Sequence, residues 1–275
     1  MHPTYAVVTG ASQGLGKAFA TALAKQGYAL ILVSLPGQHL GELSDQLAFD
    51  YNVKTHFFET DLSCRENVLE LARQVNAQFE VSMLINNAGV GGTVRFDEAS
   101  AEYVDRIIQL NVMATSLLTH QLLTNMRRQE KAYILNVSSL AAFSPIGYKT
   151  VYPASKAFVH SFSRGLYQEL KDSNIFVSVV NPGPMKTNPD VTRRIEQQGF
   201  FARLTALDPA TVATYCLRKL RKRDTVIIVN RGSWLLLKLL PIWIKLPMLT
   251  NSIKKELNIS HEKSFSDRHY RPARQ

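Results

Sequence analysis

Seven short apolar runs, separated by windows long enough for helices, leave few architectures open to this 275-residue chain. The runs are Tyr5–Thr9, Leu30–Ser34, Lys54–Glu59, Ser82–Asn86, Ala132–Val137, Phe176–Asn181 and Val226–Asn230, and most are near-continuously apolar rather than alternating. A strand that is apolar on both faces belongs to a parallel sheet covered by helices on each side. The windows Gly14–Gln26, Leu40–Tyr51, Cys64–Gln78, Ala101–Arg128, Tyr152–Lys171 and Asp208–Arg221 supply the crossovers. This alternation predicts an α/β fold: a doubly wound parallel sheet of Rossmann type, one domain over residues 1–230, then an apolar-basic C-terminal extension over 231–275. No internal repeat or low-complexity segment interrupts residues 1–230.

With 45% hydrophobic and 20% charged residues the chain can bury a full core, which excludes a disordered or collagenous polymer. The net charge of +10 is confined to one end. Residues 1–217 carry 18 Lys and Arg against 18 Asp and Glu, while residues 218–275 carry 14 against 4. A nucleic-acid-binding fold would spread its basic residues over one face of the body, so no nucleic-acid partner is expected. Two cysteines, Cys64 and Cys216, make no disulfide framework and fit a reducing, cytoplasmic compartment. No Cys/His cluster suggests a metal. Met1-His2-Pro3-Thr4 leads straight into the first apolar run, so no signal peptide is expected.

After the first strand comes Thr9-Gly10-Ala11-Ser12-Gln13-Gly14-Leu15-Gly16 and then a helical window. A dinucleotide-binding turn needs glycine where the chain reverses, where backbone nears a pyrophosphate, and where helix meets strand. The helix start then offers free N–H groups and the positive end of its dipole to the phosphates. A glycine-rich strand-to-helix turn can also be purely structural.

Tyr152-Pro153-Ala154-Ser155-Lys156 places a phenol and an amine four residues apart, on one face of a helix. An ammonium beside a phenol favours phenolate and pulls the tyrosine pKa from about 10 toward the range of an acid/base catalyst. Pro153 is tolerated only in a first helical turn, so this helix is expected to begin close to Tyr152.

Together these motifs resemble the Tyr-based short-chain dehydrogenases/reductases. Thr9–Gly16 is similar to the family's cofactor turn, and Asn86-Asn87-Ala88-Gly89 to the motif after its fourth strand. Asn111, Ser139, Tyr152 and Lys156 fall in the order of its catalytic tetrad, with Ser139 rather than Ser138 at the usual spacing before the tyrosine. Asn181-Pro182-Gly183-Pro184-Met185-Lys186-Thr187 resembles the segment that holds the nicotinamide. The resemblance spans about residues 4–230. It implies hydride transfer between NAD(P)H and a ketone or secondary alcohol. Tyr152 would move the proton, Ser139 would hold the substrate oxygen, Lys156 would bind the ribose and lower the tyrosine pKa, and Asn111 would hold a relay water. It also implies a homo-oligomer, and cofactor contacts from Gly10, Ser12, Gln13, Gly14, Leu15, Gly16, Ser34, Asp61, Leu62, Asn87, Ala88, Gly89, Pro182, Gly183 and Thr187. Three of these residues have simpler roles open to them. Asn111 can bond a backbone, Ser139 can cap a helix, and Asp61 can cap the helix starting near Cys64.

Cofactor choice turns on the end of the second strand. A carboxylate there selects NAD, and an arginine accommodates the 2′-phosphate of NADP. Leu32-Val33-Ser34-Leu35-Pro36-Gly37-Gln38 offers neither, with Leu35 at the arginine's place in the family pattern. No carboxylate repels a phosphate, and Ser12 and Ser34 can donate to one, so NADP(H) is favoured over NAD(H). That points to reduction of a hydrophobic ketone or 3-oxoacyl substrate. The alternatives are an NAD-dependent secondary-alcohol dehydrogenase, for example of hydroxysteroids, and an NAD(P)-binding redox sensor or scaffold without turnover. Arg193, Arg194, Phe200, Phe201 and Arg203 lie where the family has a lid over the substrate.

The stretch Trp234–Leu249 is too short and interrupted to span a bilayer, which takes about 20 apolar residues. Lys238 and Lys245 are seven apart and so are expected on one helix face, surrounded by tryptophan and leucine. With Lys254, Lys255, Lys263, Arg268, Arg271 and Arg274 following, residues 233–275 read as a peripheral contact with the inner membrane surface, or as a cover for the pocket or a subunit interface. The extension's place after the last strand somewhat resembles family members acting on long-chain 3-oxoacyl or hydroxysteroid substrates.

Overall fold

The computed structural model describes residues 4–185 and 207–254. Seven strands form one parallel sheet: β1 (Thr4–Thr9), β2 (Ala29–Ser34), β3 (Thr55–Glu59), β4 (Glu80–Asn86), β5 (Ala132–Val137), β6 (Ile175–Asn181) and β7 (Val226–Ile228). Their spatial order is β3-β2-β1-β4-β5-β6-β7, so the chain winds outward from β1 in one direction and then from β4 in the other. The order reverses between β1 and β4, where a doubly wound sheet opens a crevice at its carboxyl end.

Successive side chains of a strand face opposite sides, and the core divides accordingly. Ala6 and Val8 of β1 face a layer built on Leu15, Phe19 and Leu23 of α1 (Gly14–Ala24) and on α2 (Leu40–Tyr51). Tyr5 and Val7 face the other layer, built on α3 (Arg65–Gln78), which supplies Val68 and Leu71. Burying each such side chain contributes about 1.5–3 kcal/mol, which explains why the central strands are apolar without alternation. β3 departs from that pattern because it is the edge strand: Phe57 is exposed, as only one side of β3 is paired.

Three expected elements differ. The window Ala101–Arg128 is α4 (Ala101–Ile108), a π-helical turn (Gln109–Ala114) and α5 (Thr115–Arg127). The wide turn sits where Asn111 bonds the loop after β4, a contact that a continuous α-helix would re-aim. The last strand stops at Ile228 because Asn230 turns to cap the next helix, accepting from the Ser233 N–H at 3.0 Å. Residues 231–249 are not one helix. α8 (Arg231–Leu239) ends before Pro241, and a second helix, α9, runs over 242–254. Between β5 and β7 lie α6 (Val151–Leu170), β6, and α7 (Pro209–Arg221), which packs on α1. α6 begins one residue before Tyr152, with Pro153 in its first turn.

Candidate active site

The crevice begins with the β1–α1 turn. Gly10 and Gly14 have φ of +64° and +56°, the left-handed region that glycine enters freely. A β-carbon on Gly16 would collide with the Gly10 carbonyl oxygen, so helix and turn can approach this closely only with glycine there. Gln13, the residue before α1, makes no side-chain cap, and the helix's first N–H groups are left to whatever occupies the turn. The turn is tied to the end of β4 from both sides. Thr9 Oγ1 accepts from the N–H groups of Asn87 and Ala88 at 3.0 Å, and Asn87 Nδ2 donates to the Thr9 carbonyl at 2.9 Å. These contacts make a glycine-lined cradle at a helix N-terminus, which suits the pyrophosphate of a dinucleotide.

All the site residues inferred from sequence, other than Gly16, Asn111 and Thr187, line one cavity of about 840 Å³; among them are Gly10, Asp61, Asn87, Ser139, Tyr152, Lys156 and Gly183. Thr187 and the segment 193–203 lie outside the described residues. Ser34 lines the cavity but is buried, and its hydroxyl donates to the Leu35 carbonyl at 3.1 Å, so its proton is already engaged. Asp61 Oδ1 accepts from both the N–H and the hydroxyl of Ser63, closing a tight turn; the residue at the start of α3 is Cys64, whose side chain caps no backbone N–H and donates to Glu66 Oε2 instead.

At the other end stand Ser139, Tyr152 and Lys156. Ser139 precedes a 3-10 turn (Leu140–Phe143) and accepts from the Ala141 N–H at 3.1 Å, so it does cap a helix; a side-chain hydrogen bond also links it to Tyr152. Ser138 is buried and donates to the Lys156 carbonyl at 2.7 Å, which turns it away from the phenol. Lys156 is 5% exposed, and its Nζ donates to the Val137 carbonyl at 2.9 Å. Burial pushes its pKa down to about 8. Burial also pushes the Tyr152 phenol above its ordinary value, with the Ser139 bond opposing. This corrects the expected direction: Lys156 Nζ lies 5.9 Å from the centre of the Tyr152 ring, bonded to backbone, and desolvation outweighs its pull.

The Asn111 side chain bonds the loop after β4 and α6. Its Oδ1 accepts from the Val90 N–H, and its Nδ2 donates to the Val90 carbonyl and to Ser155 Oγ, each at 2.9 Å. Both Nδ2 protons are engaged, and the side chain holds loop 89–92 against α6. Sequence reading passed over three residues here. Thr9 closes the turn, Arg106 lines the cavity, and Gly91 lies flat against the tyrosine, where a β-carbon would be 2.9 Å from Tyr152 Cδ2. The run Gly89-Val90-Gly91-Gly92 was the available signal for the last.

The outer wall of the cavity comes from the extension. Leu236 and Leu237 of α8 and Met248, Leu249 and Ile253 of α9 line it. α9 is held on the loop before Tyr152: Thr250 Oγ1 accepts from the Gly147 N–H at 3.0 Å, and Lys245 Nζ donates to the carbonyls of Phe143 and Leu237. Lys245 therefore points inward and does not share an outer face with Lys238, because the break at Pro241 changes the register between them.

Residues 4–198 match the family model described as short chain dehydrogenase. This chain belongs to that family. The very-long-chain 3-oxoacyl-CoA reductase of Anas platyrhynchos is 35% identical over 184 residues, which are 65% of this chain and 58% of that protein. Among solved structures, a short-chain dehydrogenase from Sphingobium yanoikuyae in complex with NADPH is 25% identical, with a TM-score of 0.74 over 100% of this chain and 98% of that one. One from Burkholderia phymatum in complex with NAD is 26% identical, with a TM-score of 0.77 over 86% and 92%. The two solved relatives hold NADPH and NAD respectively. Among the described residues no helix is long and apolar enough to cross a membrane, and no group of metal ligands is present.

Proposed function

We propose that this short-chain dehydrogenase reduces the carbonyl of a hydrophobic ketone or 3-oxoacyl compound with NADPH. The observation that carries the reading is the Tyr152 phenol, bonded to Ser139 and lining a cavity whose outer wall is leucine, methionine and isoleucine. A phenol is a neutral acid at physiological pH and can donate its proton to a developing alkoxide.

When bound, the nicotinamide supplies a hydride to the carbonyl carbon. The protein's residues do the rest. Tyr152 gives its proton to the carbonyl oxygen, and Ser139 holds that oxygen through its hydroxyl, stabilising the negative charge that develops there. Lys156, beside Gly89 and the Val137 carbonyl, binds the ribose hydroxyls and stands ready to restore the proton, since an amine with a pKa of about 8 is protonated yet labile near neutral pH. Asn111 acts as a positioning residue, fixing the loop that bears Gly89 and Gly91.

The lean to NADPH rests on the loop after β2, where Leu35 and Gln38 line the cavity and no carboxylate stands to repel a 2′-phosphate. With the Ser34 proton engaged, Ser12 is the remaining hydroxyl donor. The long-chain character draws on the apolar wall and on the name of the duck relative. A carbonyl panel of short ketones, steroids and 3-oxoacyl thioesters, run with NADPH and NADH, tests both parts. Turnover confined to small hydrophilic ketones, or faster with NADH, overturns them. The second reading, NAD-dependent oxidation of a secondary alcohol, draws on Leu35 standing where a phosphate-binding arginine belongs and on the NAD-bound relative. A binder without turnover has no need of the Ser139–Tyr152–Lys156 arrangement. Exposed Ile108 on α4 and Phe158 on α6 support a homo-oligomer, free Cys64 and Cys216 support a cytoplasmic location, and residues 233–275 are read as a peripheral membrane contact.

A further inference from the structure

The two helices that wall the cavity are apolar on both sides. Leu236 and Met248 line the cavity and are nevertheless 55% and 43% exposed, so they form its rim. Beyond the rim, Leu235 and Leu239 share a face of α8, one turn apart, and Leu239 is 71% exposed; Trp243, at the start of α9, is 73% exposed. None of these three touches the cavity, so pocket cover does not account for them. Single exposed leucines are ordinary, but a run of them with a tryptophan around one opening is not.

Charge decides between possible occupants. Arg231, Lys238 and Lys254 are exposed around this apolar face, and the last 58 residues, 218–275, carry the chain's whole excess of +10. A second copy would bring the same cations against themselves across a two-fold contact. An anionic lipid surface complements them. Lys238 Nζ lies 4.9 Å from the centre of the Trp234 ring, a pairing of ammonium and indole that suits the boundary between headgroups and acyl chains. Trp234 in turn packs edge-on against Phe143, in the 3-10 turn that follows Ser139, so the helix face is fastened to the active-site loop.

We propose that α8 and α9 seat the mouth of the cavity on an anionic bilayer, with Leu235, Leu239 and Trp243 in the acyl boundary and Arg231, Lys238 and Lys254 at the headgroups. An apolar substrate then passes from the lipid over Leu236 and Met248 into the cavity without crossing water. The passage rests on the proposed apolar substrate; the docking does not.

The chain's two tryptophans, Trp234 and Trp243, both belong to this segment, so its own fluorescence reports the contact. The full chain is titrated with phosphatidylcholine vesicles, with and without phosphatidylglycerol, following tryptophan emission and co-sedimentation. The expected result is a blue shift and sedimentation with the anionic vesicles, weakened by salt. Leu239→Glu and Trp243→Glu, both at exposed positions, should each reduce partitioning on the order of tenfold while turnover of a water-soluble ketone stays at the parent rate. No shift with anionic vesicles, or equal partitioning of parent and variants, overturns the docking. So does a parent oligomer that Trp243→Glu converts to monomer in the absence of any vesicle binding, which would make the face a subunit contact. If no ketone is turned over but vesicles still bind, the carbonyl-reductase reading fails and the docking stands.

Discussion

Lys156 Nζ donates to the carbonyl oxygen of Val137, the last residue of β5, at 2.9 Å, and among the described residues no carboxylate pairs with it. A buried amine held only by a neutral acceptor loses proton affinity, and its pKa of about 8 against an ordinary 10.5 ties stability to pH. Between those values the unfolded chain binds the proton and the folded one does not, so stability rises with pH across that window. Below about pH 8 both states hold the proton, and the native state bears the cost of a buried charge. Above pH 9 the buried Cys216 thiol, pushed up to about 12, acts in the opposite sense, as does the raised Tyr152 phenol above pH 10. The difference between parent and Lys156→Met isolates the lysine. Relative to the parent, the variant should be more stable at pH 7 by up to about 3 kcal/mol, with the gap closing toward pH 10. Urea unfolding at a series of pH values measures it.

Tyr152→Phe removes the proton donor while keeping the ring against Gly91. Turnover should fall by about 10²–10⁴-fold, with NADPH binding, followed by cofactor fluorescence, unchanged. Retained activity would show that another group moves the proton.

Gly91→Ala tests how closely the ring is held. Its β-carbon would come within 2.9 Å of Tyr152 Cδ2, so the ring or the loop must shift. A displacement of about 1 Å costs on the order of 10²-fold in rate. The expected outcome is a drop in kcat with cofactor affinity near the parent value.

Gly16→Ala acts at the opposite end of the crevice. The new methyl overlaps the Gly10 carbonyl oxygen and crowds Asn87 Nδ2 at 2.6 Å, prying apart the turn and the end of β4. Cofactor binding should be lost and the melting temperature lowered, both measurable in one thermal-shift titration with NADPH. An unchanged melting temperature would mean that helix α1 can slide away.

Leu35→Arg should tighten NADPH at least about tenfold by placing a guanidinium at the cavity wall where a 2′-phosphate would be held, and Leu35→Asp should reverse the preference toward NADH. Comparing kcat/KM for the two cofactors decides it.

The sheet was legible because its strands are buried on both faces, which writes an uninterrupted apolar run into each. The glycine turn and the Tyr152/Lys156 pair were legible because their spacing is chemistry read along a single turn or helix. Less visible was whatever depends on contacts distant in sequence. Asn111 looks like any mid-helix asparagine until Val90 is found across from it, bonded at both its N–H and its carbonyl. Thr9 reads as the end of a strand, although its hydroxyl gathers two N–H groups 78 and 79 residues away. Lys245 looks like a surface cation by period, but Pro241 restarts the helix and turns it onto the Phe143 carbonyl. The pKa of Tyr152 was misread for the same reason: spacing gives the neighbour, whereas burial needs the whole fold.

The outer wall of the cavity is made by α8 and α9, which follow the last strand and leave both core layers intact. The proposed catalytic groups sit just after β5 and on α6, whereas the apolar outer wall sits on the segment that follows β7. Exchanging that segment for another is therefore a route to a new substrate range that keeps both core layers in place, provided its ties to Phe143 and Gly147 are kept.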